Sequence, residues 1–120
     1  MQYLLLIYND EKEWAALSDD ERTAITGEYM ALVKSMGSAY VGGAPLHPTT
    51  TATTVRVREG DEIVTDGPFA ETKEQLGGFF MIDVETVDEA LEWAARIPAA
   101  RYGSVEVRPV VPVRVEASTG

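Results

Sequence analysis

The chain has 120 residues, 45% of them hydrophobic, which is typical of one globular domain with a buried core. It contains 20 acidic and 10 basic residues, and the resulting net charge of -10 disfavours binding to nucleic acids and to anionic membranes. The lack of cysteine excludes disulfides, thiolate metal sites and cysteine nucleophiles, and the single histidine, His47, excludes a multi-histidine metal site. We therefore predict no metal, and the lack of a Gly-rich phosphate loop or a dinucleotide-binding motif leads us to predict no cofactor.

The first element in the chain is a predicted strand, Gln2 to Tyr8. Its sequence, QYLLLIY, is apolar at both alternating positions, which indicates a strand buried on both faces. No basic segment precedes this short apolar run, so we expect neither a signal peptide nor a membrane span and interpret the protein as cytoplasmic. The following NDEKEWAAL is predicted to be a polar connection.

A helix is predicted from Ser18 to about Met36. Ser18 and Glu21 have the spacing of a capping box, in which each side chain bonds the other residue's backbone N–H. One face of this helix is apolar at helical spacing: Ile25, Tyr29, Leu32, Val33 and Met36.

The middle of the chain is predicted to be all β. SAYVGGAPL gives a short strand that runs into a bend, and residues 53–66 give a hairpin, with TATTVRVRE and IVTD as its strands and EGDE as its turn.

The segment DGPFAETKEQLGGFF links the hairpin to the last part of the chain. Within it, ETKEQ is interpreted as a capped helical turn, and GFFMIDVE, residues 78–85, as a central strand. A second capping box at Thr86 and Glu89 begins a helix that continues to about Ile97, with Leu91, Ala94 and Ala95 on its inner face. SVEVRPVVPVRV completes the domain as a strand and an extended tail, about 112–120.

Without the hairpin, this order is βαββαβ in one domain, 1–120, which is the ferredoxin-like α+β arrangement. The first and third core strands of that arrangement are central, and these are the two that are apolar on both faces. Helices cover one face of such a sheet, so the other face keeps exposed apolar side chains. We expect a second copy of the chain to cover it, as a homodimer.

The segment VTDGPFAETKEQLGGFFMIDV resembles the signature of DGPF-type members of the YCII-related family. The resemblance extends to YLLLIY, GGAPL, ALEWAARIPAA and GSVEVRPV, and so covers nearly the whole chain. It implies a dimeric α+β barrel with ferredoxin-like protomers, distantly similar to muconolactone isomerase. Some members are encoded beside extracytoplasmic-function sigma factors, which implies a regulatory or accessory role.

The resemblance also implies acid–base or dehalogenating chemistry in some YCII-type proteins, through a histidine and an aspartate. Neither residue carries over to this chain. The helix where the histidine is expected, DDERTAITGEYMALVKSMG, contains none, and Ile97 stands before Pro98 where the aspartate is expected.

Asp66 and His47 are the candidate catalytic residues. Asp66 belongs to a turn-forming Asp-Gly-Pro, but it also ends a strand, where its carboxylate could face a cleft as a base in apolar surroundings. His47 is interpreted first as an exposed loop histidine. If it met Asp66 across the base of the hairpin, the two would form an acid–base pair.

The candidate ligand-binding residues are Lys73, Glu71, Phe69 and Tyr40. Lys73 could hold a substrate carboxylate in an otherwise acidic protein, although a surface salt bridge is the commoner role of such a lysine. Glu71 lies beside it in sequence. Phe69 is expected to anchor the loop in the core, and Tyr40 could donate a hydrogen bond inside a pocket.

Three functional hypotheses remain open. The first is a homodimer that binds a small anionic molecule in a regulatory or accessory role. The second is an enzyme of lactone isomerase or dehydrohalogenase type that uses Asp66 and His47. The third is a protein-interaction module that contacts a sigma factor.

Overall fold

A computed structural model describes residues 1–113. In chain order, its elements are β1 (Gln2–Asn9), α1 (Glu11–Ala16), α2 (Asp19–Met36), β2 (Tyr40–Pro45), β3 (Thr53–Arg58), β4 (Asp61–Asp66), β5 (Gln75–Asp83), α3 (Val87–Ala95) and β6 (Ser104–Pro109). Short 3-10 turns lie at Gly37–Ala39, Thr49–Thr51 and Pro98–Arg101. Most of the predicted C-terminal tail falls outside the described residues. Within them, no helix has the length and apolar character needed to cross a membrane.

Four strands form one antiparallel sheet in the order β2-β5-β1-β6, and β3 and β4 form a separate two-stranded sheet. With the hairpin set aside, this is the ferredoxin-like order, so the predicted fold class is confirmed. The two strands that are apolar on both faces, β1 and β5, are central, as predicted.

The hydrophobic core lies between one face of the sheet and the helices. Along β1, Tyr3, Leu5 and Ile7 are buried, and the intervening residues are only partly so. The helices contribute Leu32 and Met36 from α2 and the small residues Ala90 and Ala94 from α3. Only one face of the sheet is therefore covered by helices within the protomer.

The capping box at the start of α2 is present as predicted. The Ser18 hydroxyl accepts a hydrogen bond from the Glu21 N–H (3.1 Å), and the Glu21 carboxylate accepts one from the Ser18 N–H (3.0 Å). The second predicted box is half formed: the Thr86 hydroxyl accepts from the Glu89 N–H at the start of α3, without the reciprocal bond.

The segment before α2 was predicted wrongly as a connection, because residues Glu11–Ala16 form a helix. A six-residue helix is not stable by itself, so its ends need outside partners. Asp10 caps its start by accepting from the Lys12 N–H. At its end, the Arg22 guanidinium donates to the carbonyls of Trp14, Ala15 and Leu17.

The end and the inner face of α3 also differ from the prediction. The helix stops at Ala95, because Ile97 is extended ahead of Pro98, as residues before proline usually are. Leu91 is 50% exposed, and Ala95 is exposed as well. Ala94 is buried as predicted, and Ala90 takes the place of Leu91 and Ala95 on the inner face. Both buried residues are small and allow the helix to approach the sheet closely.

Candidate functional site on the open sheet face

The open face of the sheet is defined by strand register. Residues directly opposite each other in antiparallel strands project to the same side, and alternate residues project to opposite sides. Since Tyr3, Leu5 and Ile7 face the helices, Leu4, Leu6 and Tyr8 face away from them.

The centre of this face is an apolar stripe formed by β1 and β5. Leu4 lies opposite Met81, and Leu6 lies opposite Phe79. All four side chains are only partly buried in the protomer. This is the uncovered apolar face that the strand pattern predicted.

Beside the stripe runs a polar strip that joins β1 and β6. Tyr8 lies opposite Ser104, Leu6 opposite Glu106, and Leu4 opposite Arg108. The polar residues of β6 therefore flank the leucines, and Tyr8 continues the row at the end of β1.

The side chains of the polar strip are linked by hydrogen bonds. The Tyr8 hydroxyl donates to Glu106 Oε1 (3.4 Å), and Arg108 donates to Glu106 Oε2 from Nε (3.1 Å) and from Nη2 (2.5 Å). The Ser104 hydroxyl donates to Glu74 Oε1 (2.8 Å). Hydrogen bonding to Glu106, reinforced by its negative charge, raises the pKa of the Arg108 guanidinium, which is thus held as a cation next to a phenol and a carboxylate.

Glu74 brings the linker segment into this strip. The linker does not form the predicted helical turn: Glu71 and Thr72 have no regular structure, and Lys73 and Glu74 form a bend. The Thr72 hydroxyl donates to the Glu74 carbonyl, and the Gln75 side-chain amide donates to the Thr72 carbonyl. These bonds set the position of Glu74 just before β5, where its carboxylate reaches Ser104.

A second hydrogen-bonded cluster fixes the loop that follows His47. Both oxygens of the Glu11 carboxylate accept from Thr49, one from its N–H (2.8 Å) and the other from its hydroxyl (2.9 Å). The Glu11 N–H in turn donates to Gln75 Oε1 (3.0 Å). The start of α1, the 48–51 turn and the start of β5 are therefore held together.

The residues predicted to form a site are not members of these two hydrogen-bonded clusters, although Lys73 directly precedes Glu74 and His47 lies two positions before Thr49. Asp66, His47, Lys73 and Glu71 are exposed. Phe69 is 78% exposed and does not enter the core, so its predicted anchoring role is wrong. Tyr40 lies on the helix-covered face, opposite Ile82, and its ring packs edge-on against Phe80 with 5.9 Å between centroids.

Two shallow depressions on the protomer also lack the predicted site residues. The larger, about 570 Å³, is lined by Met1, Ser38, Ala39, Asp83, Val84, Glu85, Glu89 and Trp93. The other follows the outer face of α2, from Asp19 to Met30. Among the described residues, no three histidine, aspartate or glutamate side chains are grouped so that they could hold a metal ion.

Sequence reasoning missed the polar strip, although part of its signal was present. In SVEVRP, the residues Ser104, Glu106 and Arg108 alternate with valine and proline, which places them on one face. Their partners Tyr8 and Glu74 follow only from the pairing of β6 with β1.

Comparisons with known proteins agree with this architecture. The model of the YCII-related domain matches residues 1–114. An uncharacterised protein of Rhizobium meliloti (strain 1021), R00369, is 45% identical over 114 residues, and the match covers 92% of each chain. Among solved structures, a match is found to 5-chloro-2-hydroxyhydroquinone dehydrochlorinase (TftG) of Burkholderia phenoliruptrix AC1100, in complex with 2,5-dihydroxybenzoquinone. The TM-score is 0.53 and the sequence identity 15%, and the match covers 92% of this chain and 94% of that one. The last similarity shows a shared fold.

Proposed function

Since the chain belongs to the YCII-related family, we propose that it acts as a homodimer, joined through the open sheet faces, with a small-molecule site along the polar strip. The observation that carries the proposal is the pairing of an uncovered apolar stripe with a hydrogen-bonded polar strip on one face. The stripe supplies surface for association, and the strip supplies groups that recognise a ligand.

The ligand that this strip suits is a small carboxylate that also carries a hydroxyl group. Arg108 uses its Nε–H and one Nη2–H on Glu106. A guanidinium has five N–H donors, so donors remain that can bind a ligand carboxylate. Tyr8 lies opposite Ser104, and both donate their O–H protons to carboxylates, so their oxygens can accept a hydrogen bond from a ligand hydroxyl. Lys73, which is exposed in the loop before β5, is a second cation that can attract the anionic group of the ligand.

We place this binding in a regulatory or accessory role. The strip carries two carboxylates and one guanidinium, and the chain as a whole carries a net charge of -10. The net charge therefore repels an anionic ligand at long range, while Arg108 and Lys73 attract it locally. Such a balance favours modest, reversible binding.

A thermal-shift screen of small hydroxy acids, phenols and lactones tests the proposal. A ligand at about 100 times its dissociation constant stabilises the fold by roughly 2.7 kcal/mol. The shift should be lost in Arg108→Gln and kept in the matched control Arg58→Gln, whose guanidinium bonds the carbonyl of Val57 in the hairpin. A shift of equal size in both variants would place the site elsewhere, and no shift with any compound would contradict the binding role.

A second function, acid–base catalysis of the dehydrohalogenase or isomerase type, is favoured by the Tyr8–Glu106 hydrogen bond. A carboxylate beside a phenol can accept a substrate proton while the phenol donates one. The neighbour with the same fold is named a dehydrochlorinase, although 15% identity carries no site residues across. The acid–base pair predicted from the sequence, Asp66 and His47, would instead need the partner protomer to enclose it.

Chloride release from 5-chloro-2-hydroxyhydroquinone separates these possibilities. Activity that is lost in Glu106→Gln and retained in Asp66→Asn would support the strip as the catalytic centre. The reverse pattern would support the Asp66 hypothesis. No release by the wild type would leave binding alone as the proposed function.

A further inference from the structure

The β3–β4 hairpin is an arm that projects from the protomer. It forms its own sheet, and of its strand residues only Thr54 is even partly buried. At its base, the Gly67 N–H donates to the Ala52 carbonyl (2.7 Å) and the Thr54 hydroxyl donates to the Gly67 carbonyl (2.8 Å). The radius of gyration is 17.1 Å, against about 13.5 Å for a compact domain of this length.

The two faces of the arm differ in chemistry. Val55 lies opposite Val64, and Val57 lies opposite Glu62, so the three valines share one face, here called the valine face. Their exposed fractions are 58%, 61% and 58% for Val55, Val57 and Val64. The other face carries Arg56 opposite Ile63, and Arg58 opposite Asp61.

Nothing within the described protomer covers the valine face. An isolated two-stranded hairpin is at best marginally stable in water, and three adjacent exposed valines add an unfavourable apolar surface. The Glu59–Gly60 turn, with positive φ at both residues (52° and 82°), fixes the register and so fixes the valines on one side. The sequence thus specifies an apolar surface on an arm that reaches away from its own core.

The apolar stripe of the open sheet face supplies only part of the surface that a stable dimer needs. Its four side chains, Leu4, Leu6, Phe79 and Met81, are each already partly buried. A standard interface buries about 800 Å² per partner, a little over half of it apolar. The dimer therefore needs a second apolar surface, and the exposed valines of the valine face can supply it.

We infer that in the homodimer the valine face of each hairpin packs on the partner protomer, so that each protomer is contacted by the arm of the other. The inference rests on the proposed homodimer and adds a second contact to it. A two-fold axis repeats every contact, so the arm contact occurs twice in the dimer.

Single cysteines test this arrangement, because the chain has none of its own. Val57→Cys and Ile63→Cys place one thiol on each face of the same arm, at positions 61% and 44% exposed in the protomer. The rate of alkylation by iodoacetamide is measured below and above the concentration at which sedimentation shows dimer. We expect the Val57→Cys thiol to react about tenfold more slowly in the dimer, and the Ile63→Cys thiol to change less than about twofold, since thiol reactivity follows access.

The outcomes separate this inference from the homodimer itself. Dimer formation with equal reactivity of both thiols would overturn the arm contact and leave the homodimer intact. A wild type that stays monomeric at all concentrations would overturn both. As a second measurement, Val55→Lys should weaken dimerisation at least about tenfold relative to Ile63→Lys, because the lysine would lie opposite Val64 and a charge buried without a partner is costly; equal dissociation constants would again refute the arm.

Discussion

Replacing Gly43 by alanine should destabilise the protein, whereas the same change at the neighbouring Gly42 should not. A Cβ at position 43 would collide with the Phe79 carbonyl oxygen and lie 2.7 Å from Phe80 Cδ1 and 3.2 Å from Phe80 Cα. Two of these atoms belong to the β5 backbone, so rotation of a side chain cannot relieve the overlap. A Cβ at Gly42 would have no neighbour within 4 Å.

The size of the effect follows from two opposing terms. Overpacking lowers the free energy of unfolding by about 1–3 kcal/mol. Replacing glycine by alanine also makes the unfolded chain less flexible, which raises the free energy of unfolding by about 0.4–1 kcal/mol. For 120 residues, an unfolding entropy of about 2.1 cal/mol/K per residue converts 1 kcal/mol into about 4 °C. We therefore expect Gly43→Ala to lower the melting temperature by up to roughly 10 °C, and Gly42→Ala to leave it unchanged or slightly raised.

Thermal and urea unfolding followed by circular dichroism measure both variants on the same scale. Equal midpoints for the two variants would show that β2 does not pack on β5 as closely as described, and the position of the sheet edge would have to be revised.

Two further predictions concern the core and the response to alkaline pH. Leu5→Ala should lower the free energy of unfolding by about 2–5 kcal/mol, because Leu5 is fully buried. Leu91→Ala, on the exposed side of α3, should change it by less than about 1 kcal/mol. Similar urea midpoints for the two variants would refute the assignment of the α3 inner face. Burial, with a further contribution from the neighbouring Tyr102, raises the pKa of Tyr29. Because the folded state favours the protonated hydroxyl, this group stabilises the fold fully below about pH 10, the ordinary pKa of tyrosine in an unfolded chain. The stabilisation is lost as the pH rises above that value. Between pH 9 and 11 the wild type should therefore lose more stability in urea unfolding than Tyr29→Phe, and parallel losses would count against a buried Tyr29 hydroxyl.

The parts of the fold that follow from the sequence are those determined by nearby residues. The capping box at Ser18 needs only a partner three positions away, and the double-sided apolar pattern of β1 needs only its own side chains. The hairpin is equally local, since Glu59–Gly60 and its alternating flanks lie within 53–66. Together with the right order of elements, these features determine the ferredoxin-like arrangement.

The features that sequence reasoning missed depend on distant partners. Helix α1 is stabilised by Arg22, whose donors reach back to the carbonyls of Trp14 and Leu17. Tyr8 meets Glu106 across a separation of 98 residues. Until the register between β1 and β6 is known, Glu106 cannot be distinguished from the other acidic residues of the chain.

The arm also bears on the carboxylate first proposed as a catalytic base. Asp66 lies opposite Thr53, on the same side of the hairpin as Val55 and Val64. Asp66 is exposed to water in the single chain. If the valine face packs on a partner, Asp66 lies at the edge of an apolar, water-poor interface, where a general base is shielded from bulk water. Protection of the Val57→Cys thiol would therefore keep Asp66 as a candidate for chemistry at the dimer interface, and a freely reactive thiol would leave the Tyr8–Glu106–Arg108 strip as the better supported site.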